Sequence, residues 1–120
     1  MNYPLNEILV EGMEFHAYHG FYPEEQKIGC RYTVDLRITT PLATPGKTDS
    51  LADTINYEEV YIIVRDVMST PSQLIEHVAQ RIIDAVKSRY PQITHLDLTL
   101  YKYNPPLGGP VERVGIHLAQ

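Results

Sequence analysis

Residues 94–106 read THLDLTLYKYNPP, and the fold turns on how this stretch is read. Leu96, Leu98 and Leu100 recur at every second position, with His95, Asp97, Thr99, Tyr101 and Tyr103 outside that set. A period of two belongs to a strand with one buried face and one wet face. Lys102 then falls on the leucine face, just before Asn104-Pro105-Pro106 ends the run. Two readings of that lysine stand side by side. Its stem lies on apolar neighbours while the ammonium snorkels out at the strand end, or its amine is partly buried at a pocket rim and exchanges protons there.

Working outward, CRYTVDLRITT (30–40) alternates in the same way, with Tyr32, Val34, Leu36 and Ile38 on one face. NEILVEGMEFHAYHG (6–20) reads as a first strand with Gly12 as a bulge. These two runs pair as antiparallel neighbours. FYPEEQKIG (21–29) is a connection holding one helical turn, since Pro23 suits a first helical position. PLATPGKTDSLADT (41–54) is a long surface loop. Asn56 is an N-cap with Glu59 as its capping-box partner, and Val60, Ile63, Val64 and Val67 follow at helical spacing. A second helix starts at Thr70, with Pro71 first and Gln73 closing the box. Its apolar stripe is Ile75, Val78, Ala79, Ile82 and Val86, and it stops at Tyr90-Pro91. After NPPLGGP (104–110), a turn, VERVGIHLA (111–119) is a last strand with Val114, Ile116 and Leu118 on one face.

The order strand, strand, helix, helix, strand, strand gives an α+β domain over residues 1–120. It is a four-stranded antiparallel sheet with two helices on one face. Uncovered sheet edges are a liability that proteins pair or block. The expectation is therefore a homo-oligomer whose sheets join edge to edge and close into a barrel.

A net charge of −5 argues against nucleic acid or an anionic membrane surface as partner, because both are bound through basic patches. No apolar run is long enough to span a bilayer, and the start MNYPLNEILVEG lacks a basic segment followed by an apolar one. The single cysteine, Cys30, excludes a disulfide within the chain and reads as a small packed residue. Together these point to the cytoplasm. His16 and His19, three apart on a strand, face opposite ways, and His77, His95 and His117 are scattered, so a metal site is not expected. PLATPGKT ends like a P-loop but begins with Pro41 where glycine is required. Glu76 lies in the first turns of the second helix, where a carboxylate favours the positive end of the dipole. That explains it fully; a pocket at that end would equally use it to accept two N–H bonds from an amidine-like ring edge.

Four segments, MEFHAYHGFYPEEQKIG, TDSLADTINYEEV, LIEHVAQRI and LYKYNPPLGGPVERVGI, occur in this order over nearly the whole chain. Together they resemble the dihydroneopterin aldolase family. The resemblance implies the tunnelling fold, with four subunits closing a barrel as a tetramer, or two rings stacked as an octamer. It also implies a pterin pocket between subunits. It carries the family's functional positions onto Glu25, Tyr57, Glu76 and Lys102, with Ile55 and Ile75 bordering the pterin ring and Tyr57 supplied by the neighbour. Cys30 and Gln80 depart from residues common in relatives, Gln and Glu respectively, without touching those positions.

The implied reaction is retro-aldol cleavage of dihydroneopterin to 6-hydroxymethyl-dihydropterin and glycolaldehyde in folate biosynthesis, with side epimerisation to dihydromonapterin. No cofactor is implied, because the substrate's own C=N bond takes up the electrons. Lys102, Tyr57 and Glu25 would be catalytic, and Glu76, Ile75, Ile55, Glu25 and Tyr57 would bind substrate. The alternatives are an epimerase of dihydroneopterin triphosphate, needing cations such as Lys27, Arg31, Lys47 and Arg113, and a catalytically silent oligomeric pterin-binding protein. An oxygenase variant, which goes with loss of the tyrosine, and a histidine-bound metalloenzyme fit the sequence less well.

Overall fold

The structure, a computed structural model, describes residues 6–120. Residues 1–5, the start of the segment read above as leaderless, lie outside the described residues. Four strands form one antiparallel sheet in the order β1 (Glu7–Ala17), β2 (Cys30–Thr39), β3 (His95–Tyr103), β4 (Arg113–Ala119). The register pairs Leu36 with Leu98, Tyr32 with Lys102, and Lys102 with Val114. The leucine face of β3 thus continues across β2, where Tyr32, Val34 and Ile38 have no exposed surface. Burying each such side chain stabilises the fold by about 1.5–3 kcal/mol.

Gly12 forms the expected bulge. The β1–β2 register slips between Val10 and Met13, φ at Gly12 is 71°, and its N–H donates to Asp35 Oδ1 at 2.6 Å. The extra residue flips the parity of β1, so that Ile8 and Val10, then Met13, Phe15 and Ala17, all face the core.

Two amphipathic helices, α3 (Tyr57–Met68) and α4 (Ile75–Arg89), cover this face. They bury Val60 and Val64 from one and Val78, Ile82 and Val86 from the other. Before them come α1 (Pro23–Ile28), with Pro23 first as expected, and a loop holding a short helix α2 (Ala43–Thr48) and a 3₁₀ turn. The opposite face of the sheet is open. His95 and His117, apart in sequence, meet there at the carboxylate of Asp97.

Two expectations about the helix starts are corrected. Asn56 does cap α3, its side chain accepting from Glu58 N–H at 3.0 Å, but Glu59 does not close the box. Glu59 pairs instead with Arg89 and accepts from the Tyr90 hydroxyl, while Asn56 N–H donates to that hydroxyl at 3.3 Å. Nor does the next helix start at Thr70. It starts at Ile75, with Leu74 as its cap residue. The backbone groups a helix from Thr70 would need are committed elsewhere: Thr70 O accepts from Arg81, Ser72 N–H goes to His19, and Ser72 O accepts from Gly20 N–H.

Candidate active site

Lys102 resolves the question set by its position. The residue is only 8% exposed, so it does not snorkel into solvent. Its Nζ donates to Glu25 Oε1 at 3.0 Å and to the His19 carbonyl at 3.3 Å. The two side chains of this ion pair retain 10% and 15% of their surface, which makes the bond a charge-assisted one in a largely dry setting.

Glu25 is held from both ends. It occupies the third position of α1, and its Oε2 accepts from the backbone N–H of Tyr22, closing a capping box there. One oxygen thus caps its own helix while the other holds the amine. Gly20 makes room for it: a β-carbon at residue 20 would stand 2.5 Å from Glu25 Cβ. Gln26 Nε2 donates to the Gly20 carbonyl at 2.9 Å and ties α1 to the same strap.

An open cleft of about 260 Å³ lies beside the pair. Ile75 and Glu76, the first two residues of α4, line it opposite Pro105 and Pro106, with Glu25 and Lys102 also on the wall. Glu76 is exposed and meets the positive end of a fifteen-residue helix. A second hollow of about 200 Å³ adjoins Lys102 from the side of Cys30 and Asn104.

Of the six expected site residues, four converge here: Glu25, Ile75, Glu76 and Lys102. Two do not. Tyr57, the first residue of α3, is 69% exposed and lines no part of this cleft, and Ile55 is buried in the core.

His19, weighed in the sequence only as a strand residue and metal ligand, belongs to the site as well. It lies beyond the end of β1, not within it, and is 1% exposed. Its carbonyl accepts from Lys102 and, at 2.8 Å, from the Tyr32 hydroxyl. Its Nδ1 accepts from Ser72 N–H at 3.0 Å. Burial holds the imidazole down to about 4 from the usual 6.5, with the charges of Arg81 and Lys102 adding to the effect. Burial likewise raises the phenol of Tyr32. Nothing local marks His19, since its partners are 13, 53 and 83 residues away.

Among the described residues, no cluster of three or more His, Cys, Asp or Glu side chains is arranged to hold a metal ion. No helix there is long and apolar enough to cross a membrane.

The family model of dihydroneopterin aldolase (FolB) matches residues 8–119. The chain belongs to the dihydroneopterin aldolase family. A dihydroneopterin aldolase from Bacillus subtilis is 36% identical over 117 residues, covering 97% of this chain and 98% of its own length. Another from Staphylococcus epidermidis is 36% identical over 118 residues, covering 97% and 98%. The structure of the E. coli family member, solved in complex with neopterin, superposes with a TM-score of 0.88 at 19% identity, covering 96% of this chain and 98% of that one. At that identity the likeness speaks to the fold, and the fold is the family's tunnelling fold.

Proposed function

We propose that the chain cleaves dihydroneopterin by a retro-aldol reaction, releasing 6-hydroxymethyl-dihydropterin and glycolaldehyde as a step of folate biosynthesis in the cytoplasm. One observation carries this reading. A buried lysine amine, gripped by Glu25 and the His19 carbonyl, stands on the wall of a cleft that also carries the Glu76 carboxylate.

The chemistry asks for little else. Loss of the proton from the hydroxyl two carbons from the ring turns that carbon into a carbonyl and breaks the bond to its ring-side neighbour. The electron pair passes into the ring C=N, giving an enamine. A proton returned to the ring-side carbon restores the C=N and leaves a hydroxymethyl group. The substrate is its own electron sink, so no cofactor is required. Glu76 would accept two N–H bonds from the pterin's guanidine-like edge and set its orientation. Lys102 would pass protons to and from the ring nitrogen and the ring-side carbon, through water. Glu25 would hold the Lys102 amine in place and hold the hydroxylated side chain. Return of the aldehyde in the other orientation accounts for side epimerisation to dihydromonapterin.

Tyr57 would serve the site of a neighbouring subunit, helping to move the hydroxyl proton, with Ile55 positioning that segment against the pterin. Three features support such an assembly. Tyr57 is a large exposed aromatic side chain at a helix start. The radius of gyration, 16.0 Å, exceeds the roughly 13–14 Å of a compact domain of this length. The cleft, at about 260 Å³, is open and falls short of the roughly 300–1,000 Å³ of a complete small-molecule site. A homo-oligomer of single-domain chains, a tetramer or an octamer, would complete it.

The triphosphate reading loses two of its four candidate cations. Arg31 and Arg113 lie on the open face of the sheet, opposite to Lys102, stacked on the rings of Tyr103 and Tyr101. Incubation with unphosphorylated dihydroneopterin in the presence of a chelator is the test. Release of glycolaldehyde is expected; epimer alone, or unchanged substrate, would overturn the aldolase reading.

A further inference from the structure

His19 plays no chemical part in the reaction proposed above, yet it sits where the working parts of the site meet. On one side its carbonyl receives Lys102 Nζ. On the other, Ser72 N–H donates to its Nδ1 at 3.0 Å, and Gly20 N–H donates back to the Ser72 carbonyl at 2.9 Å. Ser72 opens the short strap that runs through Gln73 and Leu74 into Ile75 and Glu76, all four of which line the cleft. A two-bond clamp therefore joins the end of β1 to the start of α4. The same clamp commits the Ser72 backbone and leaves α4 to begin at Ile75.

The tautomer follows from the donor. A backbone N–H aimed at Nδ1 requires a bare nitrogen there, so the proton rides on Nε2. That Nε2 is buried, facing the backbone of Met68 without a well-formed hydrogen bond. A buried donor left so poorly paired is destabilising. A leucine would fill the space without that cost but could not receive Ser72. The molecule retains the one ring atom that reaches the strap.

We propose that His19 is a positioning residue: its Nδ1 clamp on Ser72 sets the separation between the Lys102 amine and the Glu76-bearing first turn of α4. The inference rests on the roles given above to Lys102 and Glu76. A bidentate anchor on one element and a proton carrier on another work together only if their spacing is kept.

Asparagine and glutamine separate position from polarity. His19→Asn puts its Oδ1 where Nδ1 stands; His19→Gln puts its oxygen nearer to Nε2. Among variants that melt cooperatively, His19→Gln should lower kcat by about 10- to 100-fold with the neopterin Kd changed by less than about threefold. His19→Asn should recover most of that turnover. Equal losses in both, or a loss of melting temperature alone, would overturn the proposal. A second readout needs no substrate. The ¹⁵N signal of Lys102 Nζ should move in His19→Gln and match the unmutated protein in His19→Asn. If the unmutated enzyme released no glycolaldehyde, the aldolase reading would fail while this signal still reported on the clamp. Were the Lys102 signal indifferent to both changes, the clamp would fail with the aldolase reading intact. Should His19→Gln not fold, the ¹⁵N spectrum of the unmutated imidazole decides: a bare Nδ1 is expected, and a proton on it refutes the clamp.

Discussion

Replacing Gly20 by alanine asks how much the close fit around Glu25 matters to Lys102. The added carbon would stand 2.5 Å from Glu25 Cβ and 2.7 Å from its Cδ, and would overlap Oε2. Carbon atoms in contact settle at about 3.5 Å, so Glu25 Cβ must retreat by about 1 Å. A backbone-anchored Cβ cannot swing aside, and α1 moves with it. The 3.0 Å contact between Glu25 and Lys102 then opens to about 4 Å, beyond hydrogen-bonding reach. Overpacking should lower stability by about 1–3 kcal/mol. An angstrom of misplacement at a reacting group should lower kcat by about 10²-fold. Gly115→Ala is the matched control. Its added carbon meets ring carbons of Tyr101 at 2.5 Å, on the open face of the sheet and away from Lys102. Urea melts and steady-state glycolaldehyde release on both variants give the comparison. Both should lose stability, and Gly20→Ala alone should lose turnover. If Gly20→Ala kept its kcat, or if both variants lost turnover equally, contact between residues 20 and 25 would not be what holds the amine in place.

Three further outcomes are expected. Glu76→Gln keeps the shape of the side chain and removes its charge; with a charge-assisted contact contributing about 1.5–3 kcal/mol, the neopterin Kd should rise about 10- to 100-fold by calorimetry, and an unchanged Kd would remove Glu76 from ligand binding. Lys102→Met keeps the apolar stem and should lower turnover by about 10²-fold or more while neopterin affinity barely moves; borohydride added with substrate should leave no lysine adduct by mass spectrometry, and a trapped adduct would replace the proton carrier by a Schiff base. His19, neutral in the fold to about pH 4 but titrating near 6.5 when unfolded, makes the unfolded chain bind an extra proton between those values. Stability should therefore fall as pH drops through that window, by about 3 kcal/mol in all; His19→Asn should flatten this part of the profile in urea melts, and an unaltered slope would mean that the imidazole is not buried neutral.

Lys102 was visible in the sequence because strand periodicity is local: a lysine in step with Leu96, Leu98 and Leu100 must share their face, and it does. Pro23, the Gly12 bulge and the Asn56 cap were legible for the same reason, since each is governed by backbone preferences within a few residues. The grouping of Glu25, Glu76 and Lys102 was implied by the ordered family motifs rather than by any spacing, and all three line one cleft.

What the chain's local pattern could not reveal lies in bonds between distant segments. Glu59 has the right position for a capping box, yet Arg89 and Tyr90, thirty and thirty-one residues away, claim its carboxylate. Thr70-Pro71 has the signature of a helix start, yet the backbone of Ser72 is drawn to the end of β1. His19 reads as a strand residue in the sequence, yet it lies beyond β1 and receives the Ser72 N–H. Periodicity and capping preferences act over one or two turns of chain and can be read along it. The choice among competing polar partners is made only after the sheet and helices have packed, because only then do residues such as 19, 72 and 102 share one dry space.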